Sequence, residues 1–427
     1  MLEFFKTHKF AILVFFVVLI AHSMSRNITS FDSRWVIFTS MSIISEGNTD
    51  LDEYQEVLEA NGYYGVEQVN GHYYSIFPIG TSVLAVPFVF VIKALGFPVL
   101  QSFTEVEVFI ASFLVALASV FVYLTAWRKA GSGIAGLVAL VFAFCTSMWS
   151  TASRGLWQHG PSVLMLALAL YLLLAGKKNP KLVPLAALPL ACAFIIRPTN
   201  IVSIIVLSFY VLRFHRRAVF KYLLLALLVA APFVYFNYQT YGGVLPPYYA
   251  PGRVGETAFI GEALMGNLIS PGRGLYIFSP VLLFSIAGMG LMLKSKERGE
   301  KALAICALLI IIFHWLVVSS FPHWWGGHCF GPRYMTDILP HLAFFLVPVF
   351  QWTFKRDELR KAIVLSVFSL LAGFSFFVHY RGANDWAIFE WNAVPCNIDI
   401  CPERLWDWED LQFMRGIEDK LGFEFKI

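Results

Sequence analysis

Apolar residues in this chain come in long uninterrupted blocks, not in the alternation of a half-buried strand or the stripe of a soluble amphipathic helix. A helix crossing a bilayer needs about 20 mostly apolar residues. Segments of that kind fall near 10–25, 104–127, 134–150, 161–176, 183–196, 200–212, 218–236, 275–293, 301–320, 335–354 and 361–379. Short basic clusters punctuate them: Arg128-Lys129, Lys177-Lys178-Lys181, Arg213-Arg216-Arg217-Lys221, Lys294 to Lys301 and Lys355 to Lys361. Cytoplasmic loops collect Lys and Arg. The pattern predicts an all-α polytopic membrane protein with about 11 transmembrane helices, its N-terminus cytoplasmic and its C-terminus external.

Two segments depart from the block pattern. In residues 33–46, Trp35, Phe38, Met41 and Ile44 recur every third position, which predicts a juxtamembrane helix laying one apolar face on the bilayer surface. Asp32 stands just before it, where a side-chain oxygen could cap the helix. Residues 76–95 are apolar but carry Pro78, Pro87 and Lys93. A crossing there would put Arg128-Lys129 on the wrong side, so the segment reads as re-entrant or interfacial. The chain divides into a membrane domain, 1–380, whose first external loop is 26–75, and a small external tail, 381–427.

Composition agrees. Apolar residues make up 58% and charged residues 14% of the chain, against about 45–50% and about 25% in soluble domains. The net charge of +4 hides a segregation by side. Of 32 Lys and Arg, 19 lie at the N-terminus or in the five clusters, and of 28 Asp and Glu, 18 lie in the first loop and the tail. No basic patch suggests nucleic acid. Residues 1–25 offer a poor cleavage site and read as an uncleaved first helix. Cys145, Cys192 and Cys306 sit in apolar helices as packing residues, whereas Cys396 and Cys401 could form a small disulfide loop in an oxidising exterior.

The predicted external face gathers the unusual polar residues. They are Asp32, Arg34 and Glu46, then Tyr73-Tyr74, then Arg154 with Gln158-His159, then Arg197-Pro198-Thr199-Asn200. Further on come Tyr248, Tyr249, Arg253 and Arg273, and finally His323 through Tyr334, which includes Trp325. A charge held at membrane depth costs about 2.5–3.5 kcal/mol on insertion scales and usually lines a cavity, which singles out Arg197 and Arg333. Arginine grips phosphate bidentately. No Walker or GxGxxG pattern is present. His323 and His328 lack a third metal ligand in their loop, so no metal site is assigned.

The order of these features resembles the GT-C superfamily of integral-membrane glycosyltransferases. It consists of an acid soon after the first helix, a short helix, Tyr73-Tyr74 followed by Pro78, the Arg197-Pro198 turn, and Gly331-Pro332-Arg333-Tyr334 before a late helix. The likeness spans most of residues 1–380 and is nearer the protein O-mannosyltransferase and aminoarabinose-transferase branch than the oligosaccharyltransferases. It implies a polyprenyl-phosphate sugar donor, a lipid, glycan or protein acceptor, and Asp32 as catalytic base. It implies donor phosphate or sugar contacts from Arg333, Arg197, His159, Tyr74, Tyr334, Arg154 and Trp325. Gln158-His159 stand where relatives carry a second external acid, which leaves a divalent cation unsupported, and Ile76-Phe77 replace a phosphate-binding lysine. A transporter or lipid flippase would share the helix number and buried arginines but predicts inverted repeats. A polysaccharide polymerase would share the substrate but not the Asp32 base.

Overall fold

Gly131 breaks the longest helix. Its φ of 76° is left-handed backbone open to glycine, and it divides Phe103–Phe144 into two rods joined at the basic turn Arg128-Lys129. The computed structural model describes residues 2–28, 31–250 and 259–417, with side chains from residue 9 onward. Arg253 lies outside the described residues.

Among the described residues, five helices are long and apolar enough to cross a membrane: Phe103–Phe144, His159–Gly176, Arg216–Tyr241, Arg298–Ser319 and Glu358–Asn384. The first predicted span lies in the helix Leu2–Ser23, while most of the others are shorter or broken, so a count of eleven does not follow from helix length. Pro280 interrupts the 275–293 segment between Leu275–Phe278 and Leu283–Leu293. Leu339–Thr353 runs 15 residues. The helices Arg216–Tyr241 and Glu358–Asn384 leave most of their apolar surface outside the bundle, as a lipid-facing helix does.

The basic clusters meet at one end. Lys129 pairs with Glu300 and Lys177 with Glu297, and Gln351 Nε2 donates to the Lys129 carbonyl at 2.6 Å. The first half of Phe103–Phe144 runs from that end to Glu107, whose carboxylate accepts the Leu156 amide at 2.6 Å. Glu107 is buried, and with Leu156 it anchors the loop that leads into His159–Gly176.

The short helix after Asp32 forms over Trp35–Ser45, but it does not lie on the bilayer surface: every residue from Trp35 to Ser42 is buried. Its aromatic positions pack inward, Phe38 against Tyr54 and Phe103 with ring centroids 5.0 and 5.3 Å apart. Ser40 Oγ bonds the Ser82 carbonyl at 2.9 Å. Every third position is apolar here because the helix is enclosed by the rest of its loop and by Gly80–Ala94. That second helix, 15 residues with Pro87 inside, ends with Lys93 Nζ donating to Ser45 Oγ at 2.8 Å. A two-stranded hairpin, Val66–Val69 with His72–Ser75, completes the first loop.

The tail packs against the membrane domain. Arg273 is buried and donates to the carbonyls of Trp325 at 2.9 Å and Gly327 at 3.0 Å, to Gln412 Oε1 at 2.9 Å and to Asn392 Oδ1 at 2.7 Å. Gln412 in turn accepts the Gly331 amide at 3.0 Å. Cys396 and Cys401 form a disulfide. The tail therefore clamps the loop that presents Arg333.

Candidate active site

A cavity of about 880 Å³ opens at the end of the bundle away from the basic clusters. Asp32, His159, Arg197, Arg333 and Tyr334 share its wall. Each arrives by a local rule. A residue before proline is driven to extended backbone, so Arg197, at φ −152° and ψ 120°, ends the helix Ala187–Ile196 and turns out of it. Pro198 then opens the next turn. Asn200 Nδ2 locks this turn to Ser162 Oγ and to the Ala193 carbonyl, both at 2.8 Å. Gly331, at φ +58°, lets the chain pass Phe278 and deliver Pro332-Arg333.

Asp32 does not cap the following helix. The capping position is Arg34, with no side-chain cap bond. The Asp32 carboxylate turns instead to Arg333, whose Nη2 donates to Oδ2 at 2.6 Å, and to Tyr64, whose hydroxyl donates to Oδ1 at 2.8 Å. Burial pushes this carboxyl up. The Arg333 charge and the Tyr64 and Arg333 hydrogen bonds push it down harder, leaving it below the usual Asp value. Tyr64 moves the opposite way, raised by burial first and then by the neighbouring Asp32 charge. The Arg333 guanidinium also lies 4.5 Å from the Trp157 ring centroid, a cation–π distance.

On the facing wall, Arg197 Nη1 lies 2.9 Å from Asp337 Oδ2 and also bonds the His159 imidazole. Tyr334 lies between the two guanidinium groups, its ring centroid 5.5 Å from Arg333 and 5.7 Å from Arg197. Apolar and aromatic residues complete the lining, among them Phe77, Phe194, Tyr248, Tyr249 and Phe321, and among the described residues the one carboxylate there is Asp32. A lone carboxylate beside two guanidiniums suits an anion paired with a base.

Three expected contacts fall elsewhere. Arg154 is fully buried and spends its guanidinium on main chain, donating to the carbonyls of Trp149 at 3.0 Å, Ser25 at 2.9 Å and His22. It ties the 148–158 segment to the end of the first helix. Trp325 packs in a core with Trp324, Trp391 and Leu405, its indole donating to Asp399 Oδ1 at 2.8 Å. Tyr74 borders a separate small cleft against Tyr241. Residues not predicted from the sequence are Tyr64, Asp337, Glu107 and Trp157. An acid such as Asp337 at the edge of an apolar block carries the same signal that singled out Arg197. Outside the cavity, Asp50, Asp52 and His72 place potential metal-ligand atoms within 4.8 Å of one another on the first loop. His72 there is raised by its bond to Asp52.

No family model matches this chain, and no curated protein does. Solved structures do. The aminoarabinose transferase ArnT from Cupriavidus metallidurans, bound to undecaprenyl phosphate, superposes with a TM-score of 0.53 at 14% identity, over 92% of this chain and 71% of that one. Its apo form gives 0.50 at 15% identity over the same shares. The oligosaccharyltransferase of Archaeoglobus fulgidus in the apo form gives 0.58 at 11% identity, over 99% of this chain, which spans 62% of that protein's length. At these identities the likeness is one of fold. The chain shares the fold of ArnT and of the archaeal oligosaccharyltransferase.

Proposed function

We propose that the protein is a membrane-embedded glycosyltransferase that moves a sugar from a polyprenyl-phosphate carrier to an acceptor hydroxyl at the external face, inverting the anomeric carbon. One observation carries the reading: Asp32 and Arg333, far apart in sequence, pair at 2.6 Å on the wall of a cavity that also holds Arg197 and His159. Asp32 takes the proton of the acceptor hydroxyl. The freed oxygen attacks C1 of the sugar from the side opposite the phosphate. The C1–O bond to phosphate breaks, and its electron pair leaves on the polyprenyl phosphate. The products are the glycoside and the lipid phosphate, and the proton resides on Asp32 until water removes it.

Arg333 and Arg197 supply the positive charge that the departing phosphate needs, in a site walled by aromatic rings where water screens poorly. A positioned base contributes about 10²–10⁴-fold. Carriage of the sugar within the lipid suits a chain without a nucleotide motif, and the neighbour that binds undecaprenyl phosphate supports that carrier class. The basic end of the bundle is the cytoplasmic one in this reading.

The test is reconstitution of the purified protein in vesicles with a radiolabelled undecaprenyl-phosphate sugar and lipid, glycan or protein acceptors. The expected result is a new glycoside whose anomeric configuration is opposite to the donor's. Movement of the labelled lipid between leaflets without glycoside would assign a carrier instead.

A further inference from the structure

The two guanidiniums of the cavity are not equivalent. Arg333 donates Nη2 to Asp32 and Nη1 to the Gly326 carbonyl at 3.2 Å. A phosphate arriving at Nη2 competes with Asp32 for it. Arg197 is held differently. Its Nε donates to Thr199 Oγ1 at 3.1 Å and its Nη1 faces Asp337 Oδ2 at 2.9 Å. No hydrogen bond among the described residues engages Nη2, and the residue lines the cavity. The guanidinium is clamped on one side and on offer on the other.

Asp337 is the charged part of the clamp, an ion pair with Nη1 beside the His159 imidazole that Nη1 also bonds. It is 1% exposed, and the same Oδ2 lies 3.7 Å from His159 Nδ1 and 3.9 Å from His314 Nε2. It reaches this place because Arg333–Ile338 is a tight turn leading into Leu339–Thr353, which sets Asp337 behind Tyr334 and toward Arg197. Resting on the function proposed above, we propose that Asp337 is a positioning residue. It fixes Arg197 so that Nη2 stands ready as the permanent phosphate anchor, while Arg333 is the anchor that exchanges with Asp32.

Two effects oppose each other when Asp337 loses its charge. A nearby carboxylate repels the phosphate, so removing it should tighten binding if charge alone matters. The clamp also fixes a long, rotamer-rich side chain, and releasing it costs orientation at a bidentate contact. A hydrogen bond to a charged group is worth roughly tenfold or more in affinity. With Arg197 enclosed by protein on all sides but one, orientation outweighs repulsion.

The experiment measures the affinity of the full-length protein in nanodiscs for undecaprenyl phosphate and for the uncharged undecaprenol, and takes the ratio. A general loosening of the fold lowers both affinities and leaves the ratio in place. Asp337→Asn is expected to lower the ratio about tenfold, with the donor KM rising. Asp337→Glu should give an intermediate ratio. If Asp337→Asn does not fold, Thr199→Val removes the acceptor of Nε and is expected to lower the ratio severalfold. A ratio that is unchanged or increased in Asp337→Asn, or unchanged in Thr199→Val, overturns the proposal. If the unmodified protein itself fails to prefer the phosphate over the alcohol, the functional reading fails, an outcome distinct from failure of Asp337 alone.

Discussion

Asp32 and Arg333, 301 positions apart, are joined through a single 2.6 Å contact at the cavity wall. The pair makes each residue unavailable to the other's task. While Arg333 holds Asp32, the carboxylate is a weaker base, because its negative charge is already satisfied. In the proposed reaction a donor phosphate competes for the same guanidinium. Its arrival would release Asp32 as the reaction needs it.

The first consequence concerns pH. Asp32 lies below the ordinary carboxylate value in the folded protein, so it stays ionised, and competent as a base, while pH falls through the usual Asp range near about 3.9. The same shift adds stability above the unfolded Asp value, lost as pH falls through the folded one. Tyr64→Phe deletes one donor to the carboxylate and Arg333→Gln deletes the charge. Both should move the acid limb of transfer toward higher pH, Arg333→Gln further because the charge is the larger cause. An acid limb that stays in place in both variants would remove Asp32 from the rate equation.

Gly80 tests how Arg197 is aimed. A β-carbon at Gly80 would strike the Ile195 carbonyl and approach the Ile196 amide to 2.7 Å, immediately before Arg197. Overpacking of this kind costs about 1–3 kcal/mol. Gly80→Ala should lower the melting temperature and reduce donor affinity together, since the Ala187–Ile196 helix must shift and carry Arg197 with it. Gly133→Ala, where nothing lies within 4 Å, is the control and should change neither.

Arg273 belongs to the predicted external loop 239–274, and in the structure it links that loop to Gln412 and Asn392 near the C-terminal end. Arg273→Ala leaves Asn392 Oδ1 without its donor and Gln412 Oε1 with only the Gly331 amide. A buried acceptor left without a partner costs about 1–3 kcal/mol. The tail beyond 385 should become sensitive to limited proteolysis at concentrations that spare the unmodified protein. Arg273→Lys should not restore resistance, because an ammonium cannot span the fork that reaches the Trp325 and Gly327 carbonyls.

Much of this architecture was legible beforehand because membrane chemistry writes itself in one dimension. Basic clusters mark one end, and Lys129, Lys177, Glu297 and Glu300 do gather there. Arg197 was visible because an arginine before proline in an apolar block is expensive and oriented. What stayed hidden depends on facing, which loop membership does not encode. Arg154 and Trp325 sit beside cavity residues in sequence, yet Arg154 turns to the main chain of the first helix and Trp325 to the tail. Tyr64 reads as an ordinary loop tyrosine until the hairpin returns it to Asp32. The helix Trp35–Ser45 looked amphipathic because one stripe of large side chains dominates, while the small residues Thr39, Ser40 and Ser42 on its other faces are buried too.

The central claim is that the Asp32 carboxylate removes the acceptor proton. The most direct measurement is single-turnover transfer from a labelled polyprenyl-phosphate sugar, comparing the unmodified protein with Asp32→Asn at equal donor occupancy. The account predicts that Asp32→Asn binds donor within a few-fold of normal and loses about 10²–10⁴-fold in the transfer step. A transfer rate that survives the substitution at full occupancy would contradict it.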